Sequence, residues 1–284
     1  MCRFIAYLGK PILLDDVLYK PKNSLIQQSF HAKEIEEPLN GDGFGIGWYV
    51  HHIDNTPALF RSIQPAWNDL NLTYLAKKIL SGCFFAHVRA ASTGDVAITN
   101  CHPFHYQQQL FMHNGDIGGF AQIKRYLRRT LSDEIYDWIK GETDSEHFFA
   151  LFLDKLIKQK LSFSAENVAY ILPEIINDIE TIRKQHQLST PSYINAVFSN
   201  GTCMVAIRYV SSPDLKPASL HFTSGSQYEY RDGMCHMYPA VGKQNNAVLI
   251  ASEKLTNHKA EWIDVPENSM VLVDESLQIT LKKM

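Results

Sequence analysis

The chain has 284 residues, room for one large domain or two modest ones at roughly 150 residues each, and its 27 basic against 30 acidic residues leave a net charge of −3. That balance lacks the electrostatic footprint of a nucleic-acid or membrane-surface binder, and 45% apolar with 20% charged residues excludes a disordered chain. No apolar run approaches the roughly 18 residues of a membrane span, the start is too short in its apolar part for a signal peptide, and five cysteines without CxxC spacing suit a reducing cytosol rather than a disulfide framework.

In chain order, Cys2–Leu8 reads as an apolar strand ended by Gly9 and Pro11, and Gly43–Val50 as a second strand with glycines 43, 45 and 47 on one face. Trp67–Leu80 has helix-spaced apolar residues; Gly82–Ala90 and Gln109–His113 are further strands. The middle is helical, over Ser145–Gln159 and Ala165–Gln185, where Phe149, Phe152, Leu153 and Leu156, then Val168, Ile171, Leu172, Ile175, Ile176 and Ile179, line one face each. Beyond Pro191 strands return at Tyr193–Phe198, Cys203–Tyr209, Ser219–Thr223, Ala247–Ala251 and Met270–Val273, the first two joined at Asn200-Gly201 as a hairpin. With no linker or repeat, this order predicts one α+β domain over residues 2–284 with layered, mostly antiparallel sheets. The polar, proline-containing stretch Tyr19–Leu39 is a candidate cover over a site.

Four places carry candidate chemistry. Cys2 has a small side chain that permits removal of Met1, and its α-amine would then be a base with pKa near 7.7–8 beside its own thiol, so that no histidine is needed to activate the nucleophile; the bland alternative is a small apolar residue at a strand start. Arg89 ends a strand before Ala90-Ala91-Ser92-Thr93: either a rim charge or, in a pocket, a planar fork for a carboxylate, with Ser92 and Thr93 hydroxyls as extra donors. Asn114-Gly115 reads as a common turn after a strand, or as a pair of neutral donors, the Asn114 amide and Gly115 N–H, converging as an oxyanion hole. Thr143 and Glu146 form a capping box ahead of the long helix, which leaves Asp144 free to meet a substrate ammonium.

Other features point elsewhere and fail on spacing. Gly41–Gly47 has neither a GxGxxG nor a GxxxxGK[ST] pattern and no following helix, so nucleotide binding is rejected; its glycines instead predict a closely approaching backbone. His102, His105 and His113 lack the HExxH or CxxC spacing of a metal centre and are read as structural, with no metal and no cofactor expected.

Met-Cys-Arg at the start, His87-Val88-Arg89-Ala90, Asn100-Cys101-His102-Pro103, His113-Asn114-Gly115, Thr143-Asp144-Ser145-Glu146 and, later, Ala251-Ser252-Glu253-Lys254-Leu255 with Trp262 and Val265-Pro266 together resemble the class II, N-terminal-nucleophile glutamine amidotransferases over nearly the whole chain. The resemblance implies a four-layer αββα sandwich, with Cys2 as nucleophile, Asn114 and Gly115 as oxyanion hole, Arg89 on the substrate α-carboxylate and Asp144 on its α-ammonium. It departs from the family in Ala90-Ala91-Ser92-Thr93, so Ser92 and Thr93 are second-rank contacts. No acceptor domain fits in the remaining residues, which implies the stand-alone branch of putative glutamine amidotransferases and γ-glutamyl hydrolases.

The reaction expected is therefore hydrolysis of a γ-glutamyl amide through a Cys2 thioester, with a small-molecule substrate and no nucleic-acid or membrane partner. Two alternatives are an ammonia-delivering subunit of a separate synthase and a non-catalytic binding module that keeps the fold; a histidine-dependent metallohydrolase ranks behind both.

Overall fold

The structure is a computed structural model that describes residues 2–35, 38–91, 93–231, 234–240, 242, 244–256 and 262–284. Its first half runs β1 (Arg3–Leu13), α1 (Asp15–Leu18), α2 (Leu25–His31), β2 (Phe44–Trp48), β3 (Ala58–Ser62), a 3₁₀ turn (Ala66–Asn68), α3 (Leu70–Ala76), β4 (Leu80–Val88), β5 (Phe104–Tyr106) and β6 (Gln109–Asp116). Then come α4 (Phe120–Arg128), α5 (Asp133–Trp138), α6 (Asp144–Lys158) and α7 (Ala165–Gln185). Strands close the chain: β7 (Tyr193–Ser199), β8 (Met204–Val210), β9 (His221–Gly225), β10 (Gln227–Arg231), β11 (Met234–Tyr238), β12 (Ala247–Ala251), β13 (Ile263–Asp264), β14 (Ser269–Val273) and β15 (Ile279–Lys283).

Among these, seven strands form one sheet in the order β13-β9-β12-β1-β4-β2-β3 and six form a second, β15-β14-β8-β7-β6-β5. Side chains alternate across a strand, and the burial follows that alternation. Phe4, Ala6 and Leu8 of β1, Phe85 of β4, Leu110 and Met112 of β6 and Val248 and Ile250 of β12 share one core between the two sheets. The opposite face of the first sheet (Ile5, Tyr7, Ala86, Val88) packs on residues of α1–α3 and the β10–β11 hairpin. The opposite face of the second (Phe111, Ile194, Phe198, Ile207) packs on α4–α7, where Phe111, Phe149 and Phe198 meet at ring distances of 4.7–6.3 Å. Helices, sheet, sheet, helices: this is the αββα sandwich.

Several local expectations change. β1 continues through Gly9 and Pro11 to Leu13 because its pairing with β4 shifts between Leu8 and Ile12, a bulge where proline's missing N–H removes no ladder bond. The helix expected over Trp67–Leu80 shortens to α3, since Leu80 already starts β4. Asn114-Gly115 is no turn: both residues stay in β6, opposite Asn195 and Ile194 of β7. Only Thr143 acts as a cap, accepting from Glu146 N–H at 3.2 Å, while the buried Glu146 carboxylate accepts from the Lys140 and Gly141 amides at 2.9 and 2.7 Å.

The β2 glycines do admit a neighbouring backbone, the segment around the His102-Pro103 bond. A β-carbon on Gly45 would fall 2.2 Å from the His102 carbonyl oxygen, and one on Gly47 2.9 Å from Pro103 Cγ. Gly45→Ala must therefore push the 102–103 backbone off the sheet, and a loss of about 1–3 kcal/mol in unfolding free energy is expected, read as a lower urea midpoint; an unchanged midpoint would contradict this packing.

Candidate functional site

The inter-sheet core changes character at one end. Two residues beyond its last apolar positions, the same strand faces carry Cys2 (after Phe4), His87 and Arg89 (after Phe85), Asn114 (after Met112) and Ser252 (after Ile250). The pairing sets these residues at a common end, since Arg3 lies opposite Val88, Ile5 opposite Ala251 and Asn114 opposite Asn195. One hydrogen bond joins the two sheets there: His87 Nε2–H donates to the His113 carbonyl at 3.1 Å, directly before Asn114.

Cys2 is part-buried, and its Sγ sits 3.4 Å from both the Ala90 N–H and the Ala90 carbonyl. Asp42 holds that segment on either side, its N–H donating to Arg89 O at 3.0 Å and its carboxylate accepting from Ala91 N–H at 2.8 Å. Residue 2 is fixed from below as well. Arg3, fully buried, donates to the Cys2 carbonyl at 3.1 Å and pairs with Glu253 at 3.0 Å. Glu253 in turn accepts from the Lys33 and Glu34 amides at 2.9 and 3.0 Å. Lys33 and Glu34, within the Tyr19–Leu39 stretch whose residues 36–37 lie outside the described ones, are thus tied through Glu253 and Arg3 to the strand that follows the cysteine.

Arg89 is buried and its fork is largely occupied by its own loop: Nη1 donates to Asp95 O at 3.1 Å, and Nη2 to Thr93 O at 3.0 Å and Gly94 O at 3.2 Å. Three of its five N–H donors thus serve loop carbonyls among the described residues. Thr93 enters this site through its carbonyl; Ser92 lies outside the described residues. Asn100 completes the loop, donating to Asp95 O at 2.9 Å and accepting from Glu142 N–H at 2.9 Å, and so ties the arginine loop to the turn before α6.

Asn114 is buried, and among the described residues neither atom of its amide has a hydrogen-bond partner. A buried amide left this way costs on the order of 1–3 kcal/mol, a cost that a bound polar atom would remove. Gly115 has φ of +150°, and a β-carbon there would fall 1.9 Å from Tyr193 O, so no side chain fits. Asp144, first residue of α6, accepts from Ile117 N–H at 2.7 Å and Ser145 N–H at 2.9 Å. His113 locks α6 to β6: its Nε2–H donates to Tyr193 O at 3.2 Å, which leaves Nδ1 to accept from the Ser145 hydroxyl at 2.9 Å. The residues brought together are thus Cys2 with Arg89 in the first sheet, and Asn114 with Asp144 through the β6–α6 junction. Arg3, Glu253 and Asp42 escaped the sequence reading as site residues; the signals were the Met-Cys-Arg and Ala-Ser-Glu-Lys stretches for the first two and the glycine-rich Gly41–Gly47 segment for Asp42.

Burial dominates the electrostatics. It pushes the Cys2 thiol up, partly offset by the Ala90 N–H and the guanidinium charges of Arg89 and Arg3. It pushes His87 down to about 3 and His102 well below the usual imidazole value, the latter also through the neighbouring His87 stacked at 4.1 Å. His147 falls to about 4, by burial, and Asp116 at the end of β6 rises to about 6, by burial and then by Asp144. These imidazoles are neutral scaffold groups.

Comparison with known proteins gives consistent neighbours. The family model described as class II glutamine amidotransferases matches residues 22–283. The yeast (Saccharomyces cerevisiae) protein called probable glutamine amidotransferase DUG3 is 38% identical over 96% of this chain and 82% of its own length. The γ-glutamyl-hercynylcysteine sulfoxide hydrolase of Mycolicibacterium smegmatis is 33% identical over 40% of this chain and 51% of its own. A class II glutamine aminotransferase domain protein from Silicibacter pomeroyi superposes with a TM-score of 0.68 at 26% identity, covering 100% and 98% of the two chains. Glutamine phosphoribosylpyrophosphate amidotransferase of Bacillus subtilis shares the fold with a TM-score of 0.58 at 15% identity, this chain spanning 49% of it.

The neutral histidines set the acid response. A buried imidazole whose folded pKa lies at about 3, as for His87, takes up its proton more readily unfolded, so stability is complete above about pH 6.5 and falls by roughly 1.4 kcal/mol per pH unit below it. Asp116, with its raised value, acts in the opposite direction over a narrower window and offsets only one of several histidines. The urea midpoint is expected to fall between about pH 7 and pH 5; a flat or rising profile would contradict neutral burial.

Proposed function

The chain belongs to the class II glutamine amidotransferase family, and from that premise we propose that it hydrolyses a γ-glutamyl amide with Cys2 as nucleophile. The observation that carries the reading is the Cys2 sulfur on the inter-sheet face, between the Ala90 N–H and carbonyl, at the end of the molecule where Asn114 keeps a buried, unpartnered amide among the described residues. Removal of Met1 leaves Cys2 with a free α-amine, which takes the thiol proton at neutral pH. Burial raises the thiol's pKa, so a base of its own is what the sulfur requires.

The thiolate attacks the γ-carbonyl carbon. The Asn114 amide N–H and the Gly115 N–H receive the developing oxyanion, a donor pair in which each member contributes on the order of 3 kcal/mol in the transition state. The C–N bond then breaks, the amine leaves with the proton held by the α-amine, and a γ-glutamyl thioester remains. Water, deprotonated by the same amine, attacks the thioester; glutamate leaves and the thiol is restored. In this reading the Arg89 guanidinium meets the substrate α-carboxylate and Asp144 its α-ammonium, with Thr93 and Ser92 as second-rank contacts. No metal or cofactor is invoked. Residues 2–284 work as a single unit in this account, and five free cysteines suit a reducing, cytosolic compartment. Among the described residues no helix is long and apolar enough to cross a membrane.

The test follows glutamate release from γ-glutamyl donors together with intact mass. The purified protein is expected to lack Met1, to be labelled once, on Cys2, by a diazoketone analogue of glutamine, and to lose about three orders of magnitude or more of its turnover in Cys2→Ala. Undiminished turnover by Cys2→Ala, or labelling at another cysteine, would overturn the assignment.

A further inference from the structure

The strand end that carries Asn114 and Gly115 holds one more polar side chain. Asp116 closes β6 two residues beyond Asn114, and the register to β7 runs without a shift from Leu110–Ser199 to Asp116–Tyr193. Alternation along β6 therefore gives Asp116 the face of Leu110, Met112 and Asn114, the face turned toward the sheet of Cys2. It is half-buried, and among the described residues no hydrogen bond or ion pair reaches its carboxylate.

A second carboxylate stands beside it. Asp144, 3% exposed, accepts at 2.7 Å from the N–H of Ile117, the residue that follows Asp116. Asp144 acts on Asp116, whose pKa is raised to about 6 by burial first and by Asp144 second. Arg183 and the amino-terminal charge act the other way, but the Arg183 guanidinium is engaged by Glu180 and by the Gly118 carbonyl at 2.9 Å. Two ionised carboxylates side by side repel one another, and a ligand cation seated between them turns that repulsion into attraction on both sides. The Asn114 amide, 1% exposed and without a partner among the described residues, lies two residues back on the same face. That separation is about 7 Å along a strand. A γ-glutamyl group, about 5 Å from its amide carbon to its α-nitrogen when extended, spans it with a hydrogen bond at either end.

We propose that Asp116 determines specificity: with Asp144 it seats the substrate α-ammonium, and so restricts hydrolysis to γ-glutamyl compounds whose α-amine is free. The proposal rests on the hydrolase reading above and adds a residue to its substrate grip. Each charge-assisted contact to the ammonium is worth about tenfold or more in kcat/KM.

The experiment follows glycine release from γ-glutamylglycine and from glutarylglycine, which lacks only the α-amine, at neutral pH on the mature protein. The amine-bearing substrate is expected to lead in kcat/KM by about a hundredfold, and Asp116→Asn to cut that lead by about tenfold, mainly through KM, with part of it restored in Asp116→Glu. The lead is a ratio taken on one preparation, so a partly misfolded variant does not move it. A lead near unity in the unmodified protein, or one unchanged in Asp116→Asn, overturns the proposal and leaves the hydrolase reading intact. Equal losses on both substrates, confined to kcat, do the same and give Asp116 to the Cys2 amine instead. Absence of glutamate release from both γ-glutamylglycine and glutamine overturns the proposal and the hydrolase reading together.

Discussion

A buried ion pair between residues 250 positions apart holds the reactive end of this molecule in place. Arg3 and Glu253 meet at 3.0 Å with side chains 0% and 1% exposed, and Arg3 passes the constraint to the Cys2 carbonyl. The first residues of a chain ordinarily fray unless a sheet ties them down. Here β1 lies inside the seven-stranded sheet between β12 and β4, and Phe4 N–H donates to Ser252 Oγ at 3.1 Å. An ion pair in this position need not add net stability, because desolvation opposes it. Its consequence is geometric: a single, reproducible place for the sulfur beside Ala90.

The remainder of the site follows from two sheets meeting face to face. Apolar residues fill the space between them until the strand ends, where the same faces present a thiol, an arginine, an amide and two serine or histidine groups. Polar side chains in that layer are sustained by backbone partners: Arg89 by three loop carbonyls and His87 by the His113 carbonyl. The Asn114 amide has no such partner on either atom among the described residues. A rigid frame that holds a buried amide donor in place is suited to chemistry in which an oxygen gains charge without any movement of the protein.

Strong local periodicity made part of this legible. The long apolar stripe of α7 fixed that helix to its last residue, Gln185, and β12 over Ala247–Ala251 needed no tertiary information because both of its faces are buried. Pro11 misled because proline usually ends a strand, whereas a bulge shelters it here. Asn114-Gly115 misled in the same way: an Asn-Gly pair favours a turn, but pairing with β7 keeps it extended and turns the Asn114 side chain into the inter-sheet layer. Of the candidate residues, Cys2, Arg89, Asn114, Gly115 and Asp144 were readable as motifs in order. The Arg3–Glu253 contact was not, since charge pairs across 250 residues leave no periodic trace. The helix α4, with Phe120, Ile123 and Leu127 on one face among basic residues, went unread although its stripe is sharply amphipathic.

The account's central claim is that the α-amine of residue 2 is the base for its own thiol. It is tested most directly by placing one residue that resists removal, such as glutamate, between Met1 and Cys2, and measuring glutamate release beside the urea midpoint. The account requires that turnover vanish, because the amine becomes an amide, while the midpoint stays within experimental error of the parent. Undiminished turnover by the extended chain would contradict it, since the sulfur would then be activated by some other group.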